Sequence, residues 1–402
     1  MSTHLDTTLS ASEAATRIEM TMYAAREVGT QTVMPNLVRR DVNLDTLAPN
    51  TDQITVSISE QLYDRALTQG DNIGNVQEKT RTNRTLSLFR REAPFSVTTT
   101  DMQQLDQTKI MPDAVQEAVR AHIRTHNSRI ENLYRDVYNV VGTATTSPFS
   151  SDAQALRSCR TMLKGVPKEN RFALLNVYDD DRALGLDKFT SGSGGANYPT
   201  LETGEIGRKY GFSVRTSDTL EAHVSGTATG VLANGAISVG ATQAAIDTGT
   251  GTLNYGDIIT WAGHTQTYVV GKGAFASVQN ADDKAQGTDL DYTSVADVSS
   301  AIVTFQPPLV TAVADNAAMT VVASHNVSLA FQQNAFVFAP RKMSVIGDYK
   351  FVETLTDPVS QASATLQVKG GHNQEIHVLS TYFGIGTLYP HFATRIIGTP
   401  NV

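Results

Sequence analysis

The longest regular pattern of apolar and polar residues in this chain is helical and covers residues 112–141. Its apolar residues recur at steps of three and four, with one step doubled, which places them on one stripe of a helix. The stripe consists of Val115, Val119, Ile123, Ile130, Leu133, Val137 and Val140. Pro112 suits the first helical turn, and Gly142 suits the helix end. About thirty residues at ~1.5 Å each predict a rod of roughly 45 Å, the spine helix, with a sheet along one side.

Strictly alternating apolar residues predict two strands before the spine helix. Ile54, Val56 and Ile58 alternate in the first strand, and Leu86, Leu88, Phe95 and Val97 alternate in the second. The segment between them, residues 60–84, is polar, so the strands form a long hairpin. Because a two-stranded hairpin cannot bury a core by itself, we expect it to lie on a neighbouring surface. An amphipathic helix over residues 10–28 and an extended arm over residues 30–50 precede it.

The pattern after the spine helix mixes helices and strands. A helix is predicted over residues 151–164, and the dense apolar run FALLNV, residues 172–177, predicts a buried strand. The chain is again mixed in pattern at residues 328–343, and strand patterns follow at 364–369, 376–379 and 395–397. The predicted fold class is therefore α+β.

Composition changes sharply between Arg215 and Arg341. This region contains no arginine and only Lys272 and Lys284 as lysines, while Gly, Thr, Ala and Val dominate. Short strand patterns alternate with turn residues at 236–239, 258–261, 266–270, 301–305 and 320–323. Regularly spaced short strands are typical of a small antiparallel barrel. We expect residues 219–317 to be an inserted domain that folds by itself.

Charge, cysteine content and hydropathy limit the possible functions and locations of the protein. The 402 residues carry a net charge of −8, which argues against a protein whose task is to grip nucleic acid. Cys159 is the only cysteine, so no intramolecular disulfide is expected. The N-terminus lacks the pattern of a signal peptide, and no apolar run is long enough to predict a membrane-spanning helix. These features predict a protein that is made and kept in a cytoplasm.

Candidate catalytic and metal-binding residues do not form a recognisable site. His122 and His126 have the i,i+4 spacing of metal ligands, but no third ligand can be assigned, so we expect helix-surface residues. Two acidic groups lack the register of a calcium loop and are interpreted as solvated loops: Asp179, Asp180 and Asp181, and Asp282, Asp283, Asp289 and Asp291. The glycine-rich run at residues 192–195 lacks the lysine of a phosphate loop. Cys159 is interpreted as a small buried hydrophobe. We expect no catalytic residue, no metal and no cofactor.

Four sequence motifs, in their order along the chain, resemble those of a known family. They are GRKYGFSV at 207–214, YGDIITWAG at 255–263, LAFQQNAFVFA at 329–339, and the closing YFGIG at 382–386 with RIIG at 395–398. This order is similar to that of major capsid proteins from tailed double-stranded DNA bacteriophages. The second motif is similar to the Gly-Asp turn in the inserted barrel of coat proteins from short-tailed phages.

The resemblance implies the Hong Kong-type capsid fold, with an axial domain, a peripheral domain, an extended hairpin and an N-terminal arm. The expected division of the chain is 1–50 for the helix and arm, 51–100 for the hairpin, 101–150 for the peripheral domain with the spine helix, 151–218 and 318–360 for the two parts of the axial domain, 219–317 for the barrel, and 361–402 for the closing strands.

The resemblance also implies a function and partners. These are self-assembly into hexamers and pentamers of an icosahedral virion shell, a separate scaffolding protein, a portal protein at one vertex, and enclosed DNA that is not bound sequence-specifically. No membrane partner and no covalent crosslink between subunits is expected, nor is an N-terminal segment that is cleaved during maturation. Two alternatives stay open: an encapsulin-like cellular cage of the same fold, and a hydrolase or adhesin with an appended barrel.

Basic residues cluster in and after the hairpin, although the chain is acidic overall. They are Lys79, Arg81, Arg84, Arg90 and Arg91. We expect them to meet acidic surface on neighbouring subunits, where each exposed pair contributes about 0–1 kcal/mol. A solvated charged loop is the alternative interpretation.

Overall fold

The structure is a computed structural model, and it describes the chain in separate ranges of residues. They are 4–5, 11–40, 53–59, 81–98, 100–101, 105, 111–150, 153–186, 189, 204–273, 292–342, 349–357, 362–370 and 374–400. Helices and sheets are mixed along the chain, so the predicted α+β class is confirmed.

Residues 100–101, 105 and 189 are helical, and five α-helices have their bounds within the described residues. They are α1 Ala11–Gln31, α2 Met34–Leu37, α3 Asp113–Glu131, α4 Gln154–Met162 and α5 Val177–Leu184. Short 3₁₀ segments cover Asn132–Asp136, Gln333–Ala335 and Pro390–Phe392. Of the described helices, none is both long and apolar enough to cross a membrane.

The spine helix is shorter than the sequence predicts. Helix α3 ends at Glu131, and the 3₁₀ segment Asn132–Asp136 continues the chain before a strand begins at Val140. The residues after Asp136 are largely β-branched or aromatic, which lowers helix propensity and favours a strand. Nineteen residues give a helix of about 28 Å rather than 45 Å.

The largest sheet in the described chain joins the hairpin to the C-terminal strands. Its eight strands are β1 His4–Leu5, β2 Arg39–Arg40, β3 Gln53–Ser59, β4 Arg81–Thr98, β18 Phe336–Arg341, β19 Phe351–Thr356, β20 Ser363–Gly370 and β21 Gln374–Thr387. Strand β4 pairs with β3 through its first seven residues and then with β21 from Leu88 to Thr98. One continuous strand therefore belongs to both the hairpin and the sheet.

Helices α1 and α3 lie together on this sheet. Ala24, Ala25 and Val28 of α1 share one apolar cluster with Val119 of α3 and Leu379 of β21. The apolar stripe predicted for the spine thus faces a sheet, as its periodicity indicates.

A second, mixed sheet forms the main core. Its strands are β5 Val140–Gly142, β6 Arg171–Asn176, β7 Arg208–Lys209, β8 Phe212–Ser217, β17 Asn326–Gln332 and β22 Ala393–Gly398. They are ordered β5-β22-β17-β6-β8-β7, with β5–β22 and β6–β8 parallel. Helices α4 and α5 pack beside it, and Leu156 and Cys159 of α4 are fully buried in its core. The prediction of a buried Cys159 is confirmed.

The inserted region forms a barrel-like sheet of six described strands. They are β9 Leu232–Ala233, β10 Gln243–Asp247, β12 Ile258–Trp261, β13 Tyr268–Val270, β15 Ser300–Gln306 and β16 Met319–Val321. All pairings are antiparallel, in the order β16-β12-β13-β15-β10-β9. Beside them lies a short pair, β11 Leu253–Asn254 and β14 Thr293–Val295.

Backbone hydrogen bonds nearly close this sheet into a barrel. The Ala233 amide donates to the Ala317 carbonyl at 3.0 Å, and the Met319 amide donates to the Val231 carbonyl at 3.0 Å. Trp261, Tyr268 and Phe305 fill the interior. The sheet includes Met319–Val321 and so runs past the predicted end at residue 317.

One predicted barrel strand is wrong, and some strands that are present were not predicted. Residues 236–239 form no strand, although Ile237 makes an isolated bridge to Val313. Strand β10 was not predicted because Gln243–Asp247 contains two adjacent alanines and only one large apolar residue, which hides the alternation.

Candidate assembly surface and buried junction

The five predicted contact residues do not share one location. Lys79 lies outside the described residues, and Arg81 begins β4. Arg84 is exposed and lies opposite Val56 of the hairpin. Arg90 and Arg91 instead lie in the part of β4 that pairs with β21, and the exposed Arg90 forms an ion pair with Glu92 of its own subunit. At ~3.4 Å per residue, Arg84 and Arg91 are roughly 24 Å apart along the strand.

The base of the hairpin lies on a neighbouring surface, as expected, and that surface belongs to its own subunit. Val56 and Leu86 are 4% and 3% exposed, and they share a cluster with Val337 and Ala339 of β18. These strands are distant along the chain and become neighbours because β21 pairs with both β4 and β18. The connecting residues 60–80 lie outside the described part of the chain.

A buried polar junction joins the spine to the barrel, just where α3 changes to a 3₁₀ segment. Arg135 of that segment donates from Nη1 to the Tyr255 carbonyl at 2.9 Å, and its guanidinium lies 3.7 Å from the centre of the Tyr292 ring. Arg395 of β22 donates to the Gly256 carbonyl at 2.9 Å and to the Tyr134 carbonyl at 2.7 Å. The two arginines thus hold the turn at residues 255–256 against the spine.

Asp257 provides the negative charge at this junction. Its carboxylate accepts from the backbone amides of Asn254 at 2.7 Å and Gly226 at 3.1 Å, and it lies 2.9 Å from Nε2 of His223. Burial raises the pKa of Asp257 to about 6, although the two amides oppose this shift. Burial and the two nearby arginines lower the pKa of His223. At neutral pH the junction therefore contains an ionised Asp257 and a neutral His223.

The hydroxyl of Tyr134 lies 3.0 Å from Nδ1 of His223, so Tyr134, His223 and Asp257 form a hydrogen-bonded chain. Such a chain could relay a proton, but the side chains of His223 and Asp257 are 0% exposed. No substrate can reach them in this conformation. The arrangement fixes the barrel to the core, because His223 and His325, on the two connections, also pair through their backbones.

His122 and His126 are buried, so their interpretation as helix-surface residues is wrong. Nε2 of His122 lies 3.0 Å from the Leu379 carbonyl, and both rings contact the hydroxyl of Thr381 at 3.2 Å. Burial, together with a smaller effect of His122, lowers the pKa of His126 to about 3. The i,i+4 spacing that suggests a metal pair also places two residues on the sheet-facing side of a helix. Among the described residues, no group of three His, Cys, Asp or Glu side chains could hold a metal ion.

The acidic run after β6 is helical, not a loop. Residues Asp179, Asp180 and Asp181 lie in α5, and the side chain of Asn176 caps this helix by accepting from the Asp179 amide at 2.7 Å. Asp179 is fully buried and accepts from the Ser328 hydroxyl at 2.7 Å. Carboxylates in the first turn of a helix are stabilised by its dipole. Asp282, Asp283, Asp289, Asp291 and the glycines at 192–195 lie outside the described residues.

Sequence reasoning missed the junction because its members are distant along the chain. The Gly256–Asp257 turn and Arg395 were both recognised within motifs, but no local pattern pairs Arg395 with residues 139 positions away. One signal was available: each apolar motif contains a charged residue. A charge that is buried with its motif needs a partner, so the two charges could have been expected to meet.

The chain matches no protein-family model, and no curated protein matches it. Among solved structures, it is similar to a structure described as Mycobacterium phage Che8, with 13% identity, coverage of 92% of this chain and 93% of that chain, and a TM-score of 0.46. A cyanophage P-SCSP1u capsid structure shares 9% identity over 92% of this chain and 89% of its own, with a TM-score of 0.46. The mature capsid of bacteriophage PhiM1 shares 10% identity over 91% and 87%, with a TM-score of 0.43.

Proposed function

We propose that this chain is the major capsid protein of a tailed double-stranded DNA phage. It self-assembles into hexamers and pentamers of an icosahedral shell that encloses the genome, and it is located in the virion after assembly in the host cytoplasm. Its role is structural, not enzymatic.

The observation that carries the proposal is the arrangement around β4. This strand of 18 residues forms one side of the hairpin and then enters the sheet that α3 crosses. A barrel is inserted between β8 and β17 of the second sheet. A hairpin, a spine helix and an inserted barrel, in this order, are the parts that the motif resemblance implies for a capsid subunit.

The barrel favours a phage shell over a cellular cage of the same fold. It is attached by two connections that meet at the His223–His325 bridge and has its own apolar interior. Such an appended domain is what the resemblance to short-tailed-phage coat proteins implies. We propose a separate scaffolding protein and a portal protein as assembly partners on the same basis.

The hairpin's basic residues are proposed contacts between subunits. Arg84 is exposed on the hairpin, and it can meet a carboxylate of another copy. Arg90 already has Glu92 as a partner within its own subunit, so it contributes less to such a contact. Lys79, Arg81 and Arg91 complete the proposed set.

Replacing residues 60–80 by a short Gly/Ser linker tests assembly through the hairpin. This change leaves the β3–β4 pairing and the Val56–Leu86 cluster in place, so the subunit should fold. We expect sedimentation and electron microscopy to show soluble subunits that do not close shells. The same linker in place of residues 274–291 of the barrel is the control and should leave shells intact. Normal shells from the first variant would contradict hairpin-dependent assembly.

A further inference from the structure

A basic groove lies at the C-terminal end of α4, away from the junction and from the hairpin. Its volume is about 540 Å³, and five cationic side chains line it: Arg157, Arg160, Lys164, Lys168 and Arg171. None of the lining residues is acidic, and Tyr210 contributes the one aromatic ring. A groove of one charge sign is unexpected in a chain whose net charge is −8.

The backbone on the groove's rim is held in place by Arg171. This buried side chain donates from Nη2 to the Leu163 and Val166 carbonyls at 3.0 and 2.6 Å, and from Nε to the Pro167 carbonyl at 2.9 Å. Lys164 and Lys168 lie beside these anchored residues. The rim is thus fixed before any ligand arrives, which lowers the entropic cost of binding.

Three of the other cations lie at the protein surface. Arg160, Lys164 and Lys168 are all exposed, and the bonds that anchor Arg171 go to neutral carbonyls. Burial lowers the pKa of Arg171, and repulsion from Arg160 lowers it further. Positive charge accumulates here, and an extended anion that carries repeated charge would relieve the repulsion.

We propose that this groove binds the phosphate backbone of DNA without reading sequence. Guanidinium and ammonium groups are the usual phosphate ligands, and the Tyr210 ring offers a surface on which a base can stack. DNA carries one charge per about 3.4 Å of each strand, so several phosphates can face the groove at once. The inference rests on the proposed function, which places DNA inside the shell, and adds where the subunit touches it.

The test is DNA binding by the unassembled full-length subunit, measured by fluorescence anisotropy between about 50 and 200 mM salt. The groove variant is R160Q/K164Q/K168Q, which spares the anchoring Arg171. The matched control is R120Q/R124Q/K272Q, which removes the same charge from exposed positions outside the groove. The probes are a short labelled DNA duplex, its single strand, inorganic triphosphate and polyglutamate.

We expect the groove variant to bind DNA about tenfold or more weakly at the lowest salt, with a salt slope reduced by roughly 2–3, since each lost phosphate contact removes about 0.9. The control should bind like the wild type. Equal DNA binding by both variants would overturn the proposal. So would a wild-type subunit that binds triphosphate but not DNA, or one that binds polyglutamate as tightly as DNA. Shell formation is scored separately by microscopy, so loss of DNA binding with intact shells distinguishes this site from the capsid function itself.

Discussion

Glu131, the last residue of α3, is a carboxyl group whose chemistry is changed by burial. It accepts from the hydroxyls of Ser217 and Thr219 and is 1% exposed. Burial raises its pKa from 4.5 to about 7, and the two hydroxyls only partly oppose the shift. The folded subunit therefore holds a proton here over a pH range where the unfolded chain has lost it.

This shift predicts the sign of one contribution to pH-dependent stability. As pH rises from 4.5 to about 7, Glu131 lowers the free energy of unfolding, by an upper limit of about 3 kcal/mol. The Glu131→Gln variant lacks this contribution. Its free energy of unfolding should therefore fall less than that of the wild type between pH 4.5 and about 7. Urea unfolding of the unassembled subunit at both pH values measures the difference.

The control for this prediction is Glu117→Gln, an exposed position on the same helix. It should follow the wild-type pH dependence. An identical pH dependence for Glu131→Gln and wild type would show that Glu131 is ionised normally in the folded subunit.

At the scale of elements, regular patterns were predictable and long-range contacts were not. The alternation of Ile54, Val56 and Ile58 placed β3 correctly, because a strand's period is local. The length of the spine helix was overestimated, because the apolar stripe continues past Glu131 while Arg135 and Asp136 are held by the barrel and by Thr387 of β21. Tertiary contacts overrode periodicity there.

Buried polar residues were harder to predict from the sequence than buried apolar ones. His122 was assigned to the helix surface because no third metal ligand could be named, and Asp179 to a solvated loop because its run lacks the register of a calcium loop. Both are buried with partners from β21 and β17, far along the chain. The basic groove was also missed, because its cations are spaced over fifteen positions of a chain that is acidic overall.

The contact between barrel and spine predicts a difference between two glycines. Gly256 and Gly263 both have positive φ, +92° and +83°, so alanine strains both positions. A Cβ at Gly256 would lie 2.7 Å from Cβ of Arg135, whereas one at Gly263 meets no atom within 4 Å. We expect Gly263→Ala to cost about 1 kcal/mol from strain and Gly256→Ala roughly 2 kcal/mol more from overpacking.

Urea unfolding of the two alanine variants checks this difference. Because the strain is matched, the excess for Gly256→Ala reports the packing of the turn against the spine. Equal destabilisation would mean that the barrel does not press on Arg135 in solution.

For the whole shell, the hairpin charges predict a salt-dependent stability. Arg81→Glu with Arg84→Glu should lower the melting temperature of assembled shells, because carboxylates would then face the neighbour's acidic surface. The effect should be larger at low salt, where screening is weak. Arg120→Glu with Arg124→Glu on α3 changes the charge equally and should have a smaller effect. If both pairs melt alike at every salt concentration, the hairpin charges are not part of the contact.

The central claim is that this chain builds an icosahedral shell, and electron microscopy of the purified wild-type protein tests it most directly. We predict closed particles whose reconstruction shows hexamers and pentamers, with each capsomer subunit containing the spine helix and the barrel as separate features. A protein that stays monomeric or forms only small oligomers, both alone and with its scaffolding protein, would contradict the assignment as a capsid subunit.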